Sequence, residues 1–244
     1  TKILNNGRTL NNVGAATWTD GEFFIGNGAV FNNQMGAVFD IQHTGTRNLG
    51  GGVGGASTVN NAGTMTKSAG GGTTVVNAGF NNTGTFNAND GTFRLISAAN
   101  PSTSTGAFNV GAGTLEFNNG TYDLNSGATV SGAGTITIPS GTVNFNNGSS
   151  LTTAVSQSGG VLNLATGGAV TLPSLTQSGG TVTGTGILDI TGVFTWSGGD
   201  HTGAGTTNAN GGMTLGTGNT KILNNGRTLN NVGAATWTDG EFFI

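Results

Sequence analysis

Apolar and polar residues alternate in short segments throughout the chain. Clear examples are TITI (135–138), TVNF (142–145), VLNL (161–164), AVTL (169–172) and VFTW (193–196). A period of two directs one set of side chains to a buried face and the other set to solvent, as in a β-strand. No segment has the apolar spacing of a helix, and Gly or Asn interrupts every candidate. The pattern therefore predicts an all-β protein.

The spacing of these segments predicts how the strands are arranged. Strands of three to five residues are separated by two or three residues rich in Gly and Asn, so that a strand begins about every seven residues. A longer period is superimposed, because QSGG at 157–160 recurs at 177–180 and NNAG at 60–63 is followed by NNTG at 81–84. Three short strands in every 20–21 residues are typical of a three-sided parallel β-helix, also called a β-solenoid.

The composition fits this geometry. Gly (48), Thr (41) and Asn (31) make up almost half of the 244 residues. Gly and Asn suit sharp corners that need positive φ, and Thr, Ser and Asn suit the outer faces of a sheet. We expect Val, Leu, Ile and Phe to fill the interior. Stacked Asn side chains are expected to form amide ladders along the axis.

The first 25 residues recur without change at the other end of the sequence. Thr1–Ile25 and Thr220–Ile244 are identical and are displaced by 219 positions. The identity predicts an array in which 1–219 is one full unit of ten to eleven turns and 220–244 begins the next unit of one continuous solenoid. At about 4.8 Å for each stacked strand, a unit would be about 50 Å long. We expect the two copies to be related by a translation and a small twist, in a chain that is a window on something longer.

Charge and cysteine content narrow the functional classes. Only 7% of the residues are charged and the net charge is −3, which argues against nucleic acid as a partner. The sequence has no cysteine, which fits a fold that stacking alone stabilises. It has no apolar run of transmembrane length, so we predict no membrane insertion for this segment.

The Asn-Asn-x-Gly, Ser-Gly-Gly and Gly-Ala-Gly-Thr elements (the last at 132–135 and 203–206) recur in a background rich in Thr and Asn. In this respect the chain resembles the bacterial secreted parallel β-helix repeat proteins, namely the filamentous-haemagglutinin and autotransporter-passenger type of adhesins and giant cell-surface repeat proteins. The resemblance implies a right-handed β-helix, secretion to the cell surface, and a role in attachment, matrix or filament formation. It implies no catalytic residues, because that group shares no active site.

Some parallel β-helices are polysaccharide-degrading enzymes, which need clustered carboxylates. Asp189 and Asp200 lie half a turn apart and are expected to face different sides. Asp20 and Asp40 are about one turn apart and could stack, but no basic residue accompanies them. Isolated solvated carboxylates are the default interpretation.

The two histidines, His43 and His201, give little indication of a catalytic or metal-binding site. Asp200-His201 follows a Trp-Ser-Gly-Gly segment and is expected to lie in a surface loop, with no nucleophile at a recognised spacing. Two distant histidines without cysteine cannot build a zinc site, and the glycine run 51–55 lacks the aspartate of a calcium-binding repeat. We predict no catalytic, cofactor-binding or metal-binding residues, and no cofactor.

The tryptophans are the best candidates for a ligand contact. Trp18, its copy Trp237, and Trp196 share the frame Thr-Trp-[Thr/Ser]-x-Gly-[Glu/Asp], and each could stack on a sugar ring. The more conservative interpretation is that each caps one side of the core. Thr-x-Thr segments such as those at Thr17 and Thr135 suggest an ice-binding face, but the copies are scattered along the chain.

The sequence as a whole predicts a non-enzymatic, extracellular repeat protein that forms a rigid rod, filament or sheath. Its main partners would be copies of itself, as tandem units or as laterally or end-to-end associated solenoids. The principal alternative is an adhesin stalk or passenger that binds surface glycans, and a β-helix polysaccharide-degrading enzyme comes third.

Overall fold

The computed structural model describes residues 1–52, 54–96, 102–165, 169–216 and 219–244. These residues form a parallel β-solenoid of about 11 turns with about 21 residues in each turn, and they include no helix. Each turn contributes one strand to each of three faces. The prediction of an all-β, three-sided solenoid is confirmed.

The first face is a single sheet of twelve parallel strands. In order along the axis they are β1 (Lys2–Leu4), β4 (Phe23–Ile25), β7 (Thr46–Gly50), β10 (Thr73–Asn77), β13 (Thr92–Leu95), β16 (Thr114–Phe117), β19 (Thr135–Ile138), β22 (Ala154–Gln157), β25 (Leu175–Gln177), β28 (Phe194–Trp196), β31 (Met213–Leu215) and β34 (Ala235–Trp237).

The second face is also a single twelve-stranded parallel sheet. It comprises β2 (Thr9–Asn12), β5 (Val30–Asn33), β8 (Thr58–Asn61), β11 (Gly79–Asn82), β14 (Ser102–Ser104), β17 (Thr121–Leu124), β20 (Thr142–Asn146), β23 (Val161–Ala165), β26 (Thr181–Thr183), β29 (Gly199–His201), β32 (Lys221–Leu223) and β35 (Phe242–Phe243).

The third face is divided into a sheet of seven strands and a sheet of four. The first sheet contains β3 (Ala15–Trp18), β6 (Val38–Ile41), β9 (Thr64–Lys67), β12 (Thr85–Ala88), β15 (Ala107–Val110), β18 (Thr129–Ser131) and β21 (Ser150–Leu151). The second contains β24 (Ala169–Leu172), β27 (Ile187–Ile190), β30 (Thr206–Ala209) and β33 (Thr228–Asn231).

The number of residues in a turn varies more than the expected 20–21. Lys2 pairs with Phe23, 21 residues later, whereas Val30 pairs with Thr58, 28 residues later. The extra residues of this long turn lie between β6 and β8, where the chain includes the glycine-rich segment 50–55, in which Val53 is outside the described residues. Pairing on the second face continues across the insertion over four residue pairs, so the additional residues leave the register of that face intact, whereas on the first face β4 pairs with β7 through Phe23 and Leu49.

Alternate residues of each strand point into a continuous apolar core, as their burial pattern shows. Aromatic rings pack on one another within it, for example Phe86 on Phe93 with ring centroids 4.1 Å apart. Val, Leu, Ile and Phe fill much of this core, as expected, but polar residues are also fully buried. They include Asn33, His43, Asn61, Lys67, Asn82, Gln157, Gln177, His201 and Lys221.

Backbone packs directly on backbone at the corners. A Cβ added to Gly84 would run into the carbonyl oxygen of Gly63 one turn before, and a Cβ on Gly106 would run into that of Gly84. The three glycines form a column between the second and third faces. Only glycine can occupy these positions, because the turns approach each other too closely for a side chain.

The two identical segments have the same local structure. Trp18 and Phe23 make an edge contact at 6.3 Å and 84°, and their copies Trp237 and Phe242 make the same contact at 6.2 Å and 84°. Asn6 has φ of 57° and its copy Asn225 has φ of 52°. The sequence therefore specifies one local conformation in both places.

The two segments nevertheless lie on different faces. β1 is on the first face but its copy β32 is on the second, and β2 is on the second face but its copy β33 is on the third. β3 is on the third face and its copy β34 is on the first. The expectation of a small twist between the copies is therefore wrong. The copies differ by 31 strands, which is ten turns and one further face.

Candidate functional site

An inward-facing ladder of asparagine amides runs along the second face at the ends of its strands. Asn12 Nδ2 donates to Asn33 Oδ1, Asn33 Nδ2 to Asn61 Oδ1, and Asn61 Nδ2 to Asn82 Oδ1, each at 2.8 Å. The second hydrogen of each amide goes to a backbone carbonyl of the third face, as from Asn61 to Thr85 at 3.0 Å. The ladder thus joins two faces at the corner and links successive turns.

A second ladder runs along the outside of the same strands. Asn32 Nδ2 donates to Asn11 Oδ1 at 2.8 Å, Asn60 to Asn32 at 2.9 Å, and Asn81 to Asn60 at 3.0 Å. The expectation of stacked amide ladders is met by these bonds. Further outward amides bond one turn back, and the donor and acceptor pairs are Asn27 and Asn6, Asn87 and Thr66, Asn109 and Asn87, Asn144 and Asp123, Asn163 and Asn144, Asn208 and Asp189, and Asn230 and Asn208.

The tryptophans cap corners from the inside. Trp18 Nε1 donates to the carbonyl of Gly21 at 2.8 Å, and Trp196 Nε1 donates to that of Gly199 at 3.2 Å. Trp237 makes the equivalent bond to Gly240 at 3.0 Å. In each case the indole bonds the carbonyl three residues later, so the shared Trp-x-x-Gly frame is a corner motif.

Burial of these rings bears on the carbohydrate hypothesis. Trp196 exposes none of its surface and Trp18 only 3%, so neither ring presents a face to a sugar in this conformation. Trp237 is 56% exposed on the last turn of the described solenoid. Of the three tryptophans, Trp237 alone therefore presents its ring to solvent.

The expectation that His201 lies in a surface loop is wrong. His201 is fully buried in β29, where Nδ1 is 3.0 Å from Thr207 Oγ1 and Nε2 is 2.8 Å from Gln177 Oε1. His43 is equally buried, with Nε2 2.9 Å from Thr74 Oγ1. Each imidazole packs against a tryptophan ring with centroids 4.8 Å apart.

Burial lowers the pKa of both histidines, because the charged form loses its hydration. The pKa of His201 lies well below its usual value through burial and, second, through the positive charge of Arg227. The pKa of His43 is lowered by burial and then by the charge of Lys67. Both residues are therefore neutral core groups. The alternation of His43 with the buried Ile41 could have indicated this for His43, but residues 199 and 203 on either side of His201 are not buried and give no such signal.

Arg227 is a buried cation held by neutral acceptors. It is 4% exposed, and its Nε donates to Thr207 Oγ1 at 3.0 Å while Nη1 donates to the carbonyl of Thr202 at 3.3 Å. Nη1 also donates to the carbonyl of Gly184 and Nη2 to that of Thr206, both at 3.4 Å. Burial lowers the pKa of Arg227 to about 10, so that the guanidinium is still charged at neutral pH.

The carboxylates do not cluster. Asp40 pairs in register with Thr17, whereas Asp20 binds Arg47 with Oδ1 2.8 Å from Nη2, so the two do not stack. Asp189 lies on the third face and Asp200 on the second, as the half-turn spacing predicted. Among the described residues there is no group of three His, Cys, Asp or Glu that could hold a metal ion.

A column of hydroxyl groups occupies the outside of the first face. The column runs over six consecutive strands from β19 to β34 and contains Thr137, Ser156, Thr176, Thr195, Thr214 and Thr236. It contains no charged residue. The Thr-x-Thr segments that the sequence showed are, in contrast, dispersed, since Thr17 lies on the third face and Thr135 on the first.

Comparison of the chain with known families, proteins and structures identifies no relative. No protein-family model matches the chain, and no match was found among curated proteins or solved structures. Within the described residues, there is no helix long and apolar enough to cross a bilayer.

Proposed function

We propose that this chain is a segment of a non-enzymatic, extracellular structural repeat protein that forms a rigid rod or filament by continuous stacking of β-solenoid turns. The observation that carries the proposal is the strand pairing across the boundary between residues 219 and 220, where the second copy of the repeated sequence begins. β32, β33 and β34 pair with β29, β30 and β31, so the second copy continues all three faces of the solenoid.

The physical basis of the proposal is that the stacking of turns continues without interruption across this boundary. Each turn satisfies the backbone hydrogen bonds of its neighbour, and the interior column of side chains continues from Trp196 to Phe242 with ring centroids 5.5 Å apart. In a solenoid each turn contacts only its neighbours, so adding turns adds length without changing the cross-section. Identical units that join in this way form a rod.

Electron microscopy tests the proposal directly. We expect a chain extended by two further 219-residue units to form a straight rod that is longer by about 50 Å for each added unit. Fibre diffraction should show the axial spacing of about 4.8 Å that belongs to stacked parallel strands. Separate globules joined by flexible segments would contradict the proposal.

A second candidate function, an adhesin that binds glycans, is supported by the hydroxyl column of the first face. The uncharged hydroxyl residues of this column from Ser156 to Thr236 can hydrogen-bond an extended polysaccharide, whereas the Oγ1 of Thr137 is buried. A glycan-array signal that Thr176→Val and Thr195→Val together abolish, and that Asn109→Ala on the third face leaves intact, would support it. Equal binding by both variants would contradict it.

A further inference from the structure

The two identical segments differ in what surrounds their cationic residues. Arg8 and Lys2 are exposed on the first turn of the described solenoid, whereas their copies Arg227 and Lys221 are buried, with Lys221 fully enclosed. Arg8 and Arg227 begin from the same local turn, since each backbone amide bonds the carbonyl three residues earlier, at 3.3 and 3.2 Å. The preceding turns, not the local sequence, therefore form the buried site around the Arg227 side chain, which we call the seat of Arg227.

The seat of Arg227 is built for a planar cation. Its acceptors are the hydroxyl of Thr207 and the carbonyls of Gly184, Thr202 and Thr206, all on earlier turns. A guanidinium has five N–H donors in a fixed fork, so it can bond several fixed acceptors at once, whereas an ammonium cannot match their arrangement. The two ion pairs among the described residues join Arg47 to Asp20 and Arg94 to Glu116, so neither supplies a carboxylate to Arg227.

We propose that residues 1–25 of each unit dock on residues 184–215 of the unit before it, with Arg8 in the seat that Arg227 occupies here, and that every unit is thereby turned by one face about the axis. The partner of this surface is another unit of the same chain. The inference rests on the proposed array and adds to it the contact that joins its units and the angle between them.

The angle follows from counting strands. One unit spans 31 strands, and because three strands make a turn, the next unit starts one face, or about 120°, further round. Three units contain a whole number of turns, 31, and span about 150 Å at about 4.8 Å for each turn. A surface feature of the unit, such as the hydroxyl column, then appears on all three sides of the rod in succession.

Disulfide cross-linking of the 244-residue chain tests the rotation, because the chain has no cysteine of its own. Thr236 pairs with Thr214 on the first face, so Thr214→Cys/Thr236→Cys should cross-link on oxidation, at a Cα separation suited to a disulfide. If the second copy instead lay on the same faces as the first, residue 236 would be on the third face, near Asn208. Cross-linking of Asn208→Cys/Thr236→Cys in place of the first pair would overturn the rotation.

Matched substitutions of the repeated arginine test the seat. We expect Arg227→Ala to accelerate amide hydrogen exchange in 199–244 by at least about tenfold, since the cost of removing a buried, multiply bonded group exceeds 1.4 kcal/mol. Arg8→Ala changes the same residue in the same sequence and should leave exchange in 1–52 within about twofold. Arg227→Lys keeps the charge and should restore protection only in part. Equal effects of Arg227→Ala and Arg8→Ala, or full protection in Arg227→Lys, would overturn the seat.

A chain extended to three units separates this inference from the proposed function. With Thr176→Cys in every unit and a gold cluster on each cysteine, labels about 50 Å apart should follow three directions about 120° apart. A second label at Thr236, three turns from Thr176 in the same column, measures the gradual twist of the sheet for correction. A straight rod with all labels on one side would refute the proposed contact and rotation between units but would leave the proposed rod intact. Failure to form a rod would refute the proposed function.

Discussion

The inner asparagine ladder should contribute far more to stability than the outer one, and adjacent residues allow a direct comparison. Asn61 is fully buried and makes three hydrogen bonds, accepting from Asn33 at 2.8 Å and donating to Asn82 at 2.8 Å and to the carbonyl of Thr85 at 3.0 Å. Asn60 is the next residue along the same strand, points outward, and bonds only Asn32 and Asn81.

The magnitude follows from these bonds. Three buried hydrogen bonds at about 1 kcal/mol each give about 3 kcal/mol for Asn61→Ala, and the partners left unsatisfied in the interior raise the cost to about 5 kcal/mol. Water can replace the partners of Asn60, so Asn60→Ala should cost less than about 1 kcal/mol. The two variants remove the same atoms from the same strand, so intrinsic strand propensity cancels in the comparison.

Hydrogen exchange read by mass spectrometry is the appropriate assay, because a solenoid unfolds in units of neighbouring turns. A loss of at least about 3 kcal/mol should accelerate exchange of the amides in 58–88 by more than about 100-fold in Asn61→Ala. Asn60→Ala should change it by less than about fivefold. Equal acceleration in the two variants, or a larger effect at Asn60, would refute the claim that buried amides stabilise the stack.

Three further predictions concern other parts of the molecule. Because burial depresses the pKa of His43 and His201 in the fold, only the unfolded chain takes up their protons below the ordinary value of 6.5, so the urea midpoint should be constant above pH 6.5 and fall below it. His201→Gln should make that fall shallower, and a midpoint independent of pH between 7 and 5 would contradict the assignment. Gly84→Ala should lower stability by more than about 2 kcal/mol because its Cβ meets the carbonyl of Gly63, whereas Gly14→Ala, with open space around it, should change the urea midpoint little. Arg94→Ala should lower the free energy of unfolding by less than about 1 kcal/mol, and by less still at high salt, because the arginine of its 2.7 Å ion pair with Glu116 is 38% exposed. A loss of stability that does not depend on salt would show a different role for Arg94.

Much of the fold was predictable because short segments of sequence determine the strands and corners of a solenoid. Alternation such as TITI at 135–138 is a strand with two inward and two outward residues, and Asn-Asn-x-Gly is a strand end followed by a corner. The repeat of that element after about 21 residues gives the length of a turn. These signals depend only on near neighbours in sequence, so no knowledge of distant contacts was needed.

Three features depended on contacts between turns and were beyond the sequence. His201 follows an aspartate and two glycines, a sequence typical of a loop. Because β29 pairs with β26, however, its side chain lies in the core. The long turn that includes the 50–55 segment gives no sign in sequence of preserving the register. The rotation between the copies requires an accurate count of all 31 strands, and one misplaced corner would have changed the answer.

The candidate site was the least predictable part. The tryptophan frame recurs in the sequence, but recurrence does not distinguish a corner cap from an exposed ligand contact. The hydrogen bonds of Nε1 make that distinction. The seat of Arg227 could not be foreseen, since the same residue at position 8 is exposed.

The directions of the amide ladders give the solenoid electrically different ends. Within the described part of the chain, the outward amide bonds that join two turns donate from the later turn to the earlier one, as from Asn32 to Asn11, Asn144 to Asp123 and Asn230 to Asn208. A smaller set of inward amides among the described residues, those of the inner ladder and of Gln157, donates to a later turn instead. Aligned amide dipoles add, as peptide dipoles do in a helix, whereas backbone dipoles in a sheet largely cancel. The side chains thus supply a net axial dipole whose positive end faces the start of the chain, and it grows with the number of stacked amides.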